Sequence, residues 1–127
     1  MTGLNPETMP HPPFDPWNFR PDVAVELAGK RLTGYRVEAL DGRLGKVTGA
    51  NFTPYDSFLI VTIGWWVFGR TLPLPAGTVS HLDHTGQVVY LDRSRSQVRG
   101  APAVSPEGYD DPARRDALAD YYRATYH

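Results

Sequence analysis

His81-Leu82-Asp83-His84 is the only cluster in the chain that sets metal-ligand residue types close together. His81 and His84 stand three apart across a strand end and a turn, so their rings could converge on an ion. Zinc takes four ligands, and the chain has no cysteine and no second histidine pair to complete the set. The structural reading is that His84 is a turn residue and His81 a satisfied or exposed side chain, and no metal is expected. Asp41, Asp56, Asp83 and Asp92 could supply a carboxylate pair for acid–base work. Asp41 and Asp83, however, fall in turns, and Asp92 beside Arg93 is placed to pair or cap. Ser57, Ser80 and Ser94 lack the strand–turn–helix context of a nucleophile elbow. Gly64-Trp65-Trp66-Val67-Phe68-Gly69 has glycines but no Lys-Ser/Thr ending, and its bulky residues would keep an anion from the backbone amides. No catalytic residue and no cofactor site is expected, and the chain reads as a non-enzyme.

The aromatic residues carry the stronger signal. Tyr35, Tyr55, Tyr90, Trp65 and Phe68 with nearby arginines could stack bases, as oligonucleotide-binding barrels do. Filling and rimming a small core is the reading we prefer for them. Trp65, Trp66, Val67 and Phe68 differ because Gly64 and Gly69 bracket them as a connection between two strands. A covered ring of this kind buries about 150–250 Å², so adjacent exposed rings would form an unusual apolar patch. The chain holds two candidate covers, the Phe14-Trp17-Phe19 arm and the Tyr121-Tyr122 ending. Failing those, a second copy or a protein partner would cover the patch, tryptophan being a favoured anchor, with Arg70 stacking on a ring. The candidate interaction residues are therefore Trp65, Trp66, Val67, Phe68, Arg70, Phe14, Trp17, Phe19, Tyr121 and Tyr122.

The elements that must position these residues are short. At 127 residues the chain fits one domain with tails. Its 12 prolines and 12 glycines imply turns at close intervals and favour a β body. The absence of cysteine excludes disulfides. No secretory signal is evident, and the longest apolar run, Phe58 to Phe68, falls well below the ~20 residues of a membrane-spanning helix. A cytoplasmic protein is expected. The net charge of −1 does not recommend a polyanionic partner, and the basic residues of the body read as scattered.

Residues 1–29 read as a Pro-rich arm, because Pro6, Pro10, Pro12, Pro13, Pro16 and Pro21 block helix and central strand. Val23 to Gly29 could add one helical turn or a short extended segment. Leu32 to Leu40 alternates as a first strand, with Tyr35 and Val37 on one face. Asp41-Gly42 is a two-residue hairpin signal whose central residues would both take positive φ. Leu44 to Phe52 returns, with Gly45 and Gly49 suggesting a bulge. Phe58 to Ile63 is apolar on both faces, as a covered central strand is. Thr71 to Leu74 partners it, and Pro73 and Pro75 forbid full ladder pairing and put that strand's end at a rim. Thr78 to Leu82 and Val88 to Leu91 close the set. Ser94 caps a short helix through Arg99. Residues 105–127 are a linker and a helix opened by Asp111-Pro112, docking by Ala117, Leu118, Tyr121 and Tyr122. The fold expected is all-β: a six-stranded antiparallel barrel over about residues 30–92, with an extended arm before it and a helix after it.

Leu32 to Gly42 with Leu44-Gly45-Lys46-Val47 resembles the opening of PRC-barrel proteins, whose fold occurs in the cytoplasmic domain of the photosynthetic reaction-centre H subunit. Gly64 to Arg70 leading into Leu74-Pro75-Ala76-Gly77 is similar to the central hairpin of the stand-alone bacterial members. Val89-Tyr90-Leu91-Asp92-Arg93 through Val98 and Ala101-Pro102 resembles their closing strand and helix. The resemblance spans about residues 30–104. It implies a small barrel acting as an adaptor or assembly module, and it supplies no catalytic residue. The function expected is binding to a protein partner or to itself, as in a homodimer, through the aromatic hairpin. An RNA- or ribosome-associated module and a small-molecule or metal-binding barrel are the alternatives.

Overall fold

A computed structural model describes residues 14–27, 29–64 and 70–125. In chain order these form α1 (Pro21–Leu27), β1 (Arg36–Ala39), β2 (Gly42–Asn51), β3 (Phe58–Ile63), β4 (Arg70–Pro75), β5 (Val79–Asp83), β6 (Val88–Leu91), α2 (Arg95–Arg99) and α3 (Pro112–Ala124). The strands make one sheet in the order β4-β3-β2-β1-β6-β5. All neighbours are antiparallel except β1 and β6, which run parallel with Val37 opposite Val89.

This corrects the expected all-β antiparallel barrel. The sheet is mixed, it is not closed, and helices pack on it. β4 and β5 are its two edges, yet only the short turn Ala76–Thr78 joins them. Four residue steps reach at most about 14 Å, so the sheet must curl strongly to bring its edges that near. Pro73 and Pro75 remove two N–H donors from β4, which favours an edge position. Turn signals in the sequence report hairpins between consecutive strands. The β1–β6 pairing joins segments some fifty residues apart and has no local turn to announce it.

Local chemistry explains most boundaries. Ala39 pairs with Gly42, so the β1–β2 connection is Leu40-Asp41, one residue earlier than expected. Of Asp41 and Gly42, only Gly42 takes a positive φ, +138°, a region that glycine tolerates without a Cβ penalty. The bulge foreseen near Gly49 is present: the β2–β3 register slips between Val47 and Gly49. The first strand is shorter than Leu32 to Leu40. Ser94 caps α2 in a full capping box with Gln97, and Asp111 caps α3 through the Ala113 N–H. The prolines did not keep Pro21 out of a helix. It sits in the first turn of α1, where a missing N–H removes no bond.

One core joins sheet and helices. Val37, Val47, Leu59, Val61, Leu74, Val79 and Val89 are fully buried on the sheet's inner face. Val23 of α1, Val98 of α2, and Leu118 and Tyr122 of α3 pack into the same cluster. Of the four residues expected to dock α3, Leu118 and Tyr122 are buried and Tyr121 packs half-buried against the core, whereas Ala117 is exposed and Ala119 is buried in its place. No helix among the described residues is long and apolar enough to cross a membrane.

Candidate functional site

The chemical candidates are held apart. The His84 Nε2–H donates to the Glu26 carbonyl at 2.8 Å, and its Nδ1 lies 2.7 Å from the Tyr35 hydroxyl. A carbonyl only accepts, so the neutral ring carries its proton on Nε2 and Nδ1 accepts from Tyr35. His84 thereby clips α1 to the sheet. His81 instead stacks on Tyr90 at 4.3 Å. No group of three or more potential metal ligands occurs among the described residues. The Ser80 hydroxyl donates to the Tyr90 carbonyl at 3.1 Å, so its 3.2 Å contact with His81 Nδ1 leaves the imidazole as donor, unable to draw off the serine proton. Each of the four candidate aspartates is held by a donor. Asp41 accepts from the Arg95 N–H, Asp56 pairs with Arg115, Asp83 accepts from the Gly86 N–H, and Asp92 pairs with Arg20 and Arg93.

The arm and the last helix meet at a buried arginine. Arg93 is 1% exposed. Its guanidinium pairs with Asp92, donates to the Tyr122 carbonyl at 2.9 Å and to the Thr125 hydroxyl at 3.0 Å, and lies 5.0 Å from the Phe14 ring centroid. Asp92 reaches on to Arg20 of the arm. Burial pushes the Tyr122 hydroxyl pKa up, the neighbouring Tyr121 adds to the rise, and Arg93 opposes it. Trp17 is half-buried, edge-on to Phe58 and under the Arg115 guanidinium at 4.5 Å, and Phe19 packs on Phe52. The arm's backbone is fastened too, Pro16 accepting from the Gly77 N–H at 3.0 Å and Trp17 from the Ser57 N–H at 2.9 Å. A Cβ on Gly77 would stand 2.1 Å from the Asp15 carbonyl oxygen, so no other residue allows this approach. Tyr121 donates to the Gln97 carbonyl at 2.6 Å.

The hairpin expectation for Trp65, Trp66, Val67 and Phe68 lies outside the described residues. Its two ends are described: Ile63 pairs with Arg70, and Gly64 and Arg70 are exposed. Arg70 donates to the carbonyl of Arg99, at the C-terminal end of α2, at 2.8 Å.

Beside this point runs an open groove of about 740 Å³ between the outer face of the sheet and α2. Arg43 and Lys46 of β2 and Arg95 and Arg99 of α2 line it, over the Thr48 and Thr62 hydroxyls. The two threonines contact each other at 3.4 Å, and Thr62 continues to Thr71 at 3.2 Å. At the margin, the Arg95 backbone N–H and then its guanidinium hold the Asp41 carboxyl below its ordinary pKa. Sequence reasoning missed this grouping because fifty residues separate the two pairs. The available signal was the spacing of Arg95 and Arg99, four apart on a capped helix and so on one face.

No family model matches the chain, and no curated protein matches it.

Proposed function

We propose that the chain is a non-enzymatic adaptor or assembly module of the cytoplasm, which binds a protein partner or a second copy of itself through the connection between β3 and β4. The observation that carries this reading is the position of the N-terminal arm. Its rings and backbone are fastened at the Phe58 and Gly77 end of the β3–β4 pair. Phe58 and Ile63 are five strand steps apart, about 17 Å. The arm is therefore fastened at the opposite end of β3 from Ile63. Tyr122 is likewise taken up in the core. Two tryptophans, a valine and a phenylalanine in one short connection give the chain its densest set of candidate anchors for another molecule. The resemblance of residues 30–104 to PRC-barrel proteins supports the same adaptor role.

The test is a Trp65→Ser/Trp66→Ser double variant, compared with the wild type by solution mass and by recovery of bound protein. The wild type should run above its 14.1 kDa monomer mass or retain a defined partner, and the variant should lose that property. A folded variant with unchanged mass and unchanged partners would remove the hairpin from any interface.

A further inference from the structure

We propose that the groove between β2 and α2 binds the sugar-phosphate backbone of a single-stranded nucleic acid. The starting point is where ion pairing has left charge uncancelled. Of the chain's 13 lysines and arginines, seven reach a carboxylate among the described residues. The other six, 13 minus seven, are Lys30, Arg31, Arg43, Lys46, Arg70 and Arg99. Three of these line the groove, and Arg70 stands at its border, bonded to the Arg99 carbonyl. Among the described residues, no carboxylate belongs to the lining. At the margin, Asp41 is 3.6 Å from the Arg95 guanidinium, and Glu38, opposite Arg43 in the β1–β2 register, is held by Arg36 at 2.9 Å. A chain with a net charge of −1 thus concentrates positive charge in one place.

The chemistry of the lining selects the ligand. Arginine and lysine side chains donate hydrogen bonds and accept none, while the Thr48 hydroxyl gives its proton to the Ile60 carbonyl and the Thr62 hydroxyl gives its own to Thr48. A phosphodiester backbone presents acceptor oxygens and a charge on each unit, so it matches the four cations along its length. An acidic peptide matches less well. Its backbone brings N–H donors for which the four cations hold no acceptor, and the groove lies on a sheet face away from the edge strands β4 and β5, so a peptide finds no ladder to extend. Spacing also suits a strand. Arg95 and Arg99 are about 6 Å apart along α2, and Arg43 and Lys46 about 10 Å apart along β2, so two rows of cations face one groove. Arginine forks grip phosphate oxygens in pairs.

The experiment is fluorescence anisotropy of a labelled 12-nucleotide oligo-dU with the full chain, from 20 to 200 mM NaCl. With three or four phosphates engaged, log Kd should rise with log salt at a slope of about 2–3, from roughly 0.7 per phosphate on a single strand. Arg43→Gln/Arg99→Gln should weaken binding at least tenfold and lower the slope by about 1.4. Lys46→Gln is the second variant should the double variant fail to fold. Arg114→Gln/Arg123→Gln, on the far helix, should bind like wild type. No measurable binding at 20 mM salt, or binding that the groove variants leave unchanged, would overturn the proposal. Equally tight binding of a 12-residue poly-glutamate would reassign the groove to acidic peptide, and equally tight binding of a duplex would refute the single-strand fit.

Discussion

Arg93 and the groove arginines are the same residue type in opposite circumstances. Arg93 is closed over by Phe14 and Tyr122 and gives its N–H groups to a carboxylate, a carbonyl and a hydroxyl. Arg43 and Arg99 stand exposed, with no ion pair among the described residues. A buried guanidinium is tolerated only when its donors are met, because desolvation penalises each unmet one. An exposed guanidinium remains hydrated and available to a ligand. The first kind of site holds the arm, the sheet and α3 together. The second contributes little to stability, which frees it for binding.

The largest expected effect is at the closed site. Arg93→Met removes the donors to Tyr122 and Thr125 and the link to the arm, while Asp92 keeps Arg20. Breaking a buried pair of this kind costs about 3–5 kcal/mol, so Tm should fall on the order of 10 °C. Arg93→Lys should recover only part, since an ammonium cannot serve three separated acceptors in one plane. Thermal melts of the three proteins check this. A lysine variant as stable as wild type would show that charge matters here and the fork does not.

Next comes the docking of α3, where two readings of one helix can be separated. Leu118→Ala should cost about 2–5 kcal/mol, as truncation of a fully buried leucine does. Ala119→Lys should also destabilise strongly, whereas Ala117→Lys should stay within about 0.5 kcal/mol of wild type, as exposed substitutions do. Urea titrations measure all three. A sensitive Ala117 would restore the face that the sequence suggested.

The helix shows why some features were legible and others were not. Ala113, Ala117 and Tyr121 form one apolar stripe, and Leu118 and Tyr122 another. Spacing alone could not choose between them, and the core took the side with more area to bury. Features encoded within a few residues were readable: the Ser94–Gln97 capping box, the Asp111-Pro112 start, the bulge by Gly49, the edge prolines of β4. Asp41-Gly42 was read as a turn correctly and as a register one residue late, because Asp41 answers to Arg95, far along the chain. The β1–β6 parallel pairing, the burial of Arg93 and the groove all join segments distant in sequence, and no local pattern announces them. The candidate site was legible in part. The aromatic arm was picked out from its composition, but its rings lie against the chain's own sheet.

At the open site, Arg43→Gln/Arg99→Gln should leave stability within about 0.5 kcal/mol of wild type while changing oligonucleotide affinity. A loss above 1 kcal/mol by urea titration would mean that these side chains serve the fold, and the contrast with Arg93 would fail.

The smallest effect lies at Asp41, on the boundary between the two kinds of site. Its carboxylate accepts from the first N–H of α2 and offsets Arg95, and its pKa is lowered on folding from an ordinary 3.8. A group whose folded pKa is depressed contributes stability above its unfolded pKa and loses it as pH falls through the folded one. Asp41→Asn keeps an acceptor oxygen and removes only the charge. The stability gap between wild type and variant should therefore be constant from pH 7 to about 5 and close as pH drops below about 4. The same variant leaves Arg95 without its acid, so it should bind the oligonucleotide more tightly than wild type at pH 7, with a steeper salt dependence. Weaker binding by Asp41→Asn would show that Asp41 holds Arg95 in place for the ligand, and that the ion pair at the margin belongs to the groove's working geometry.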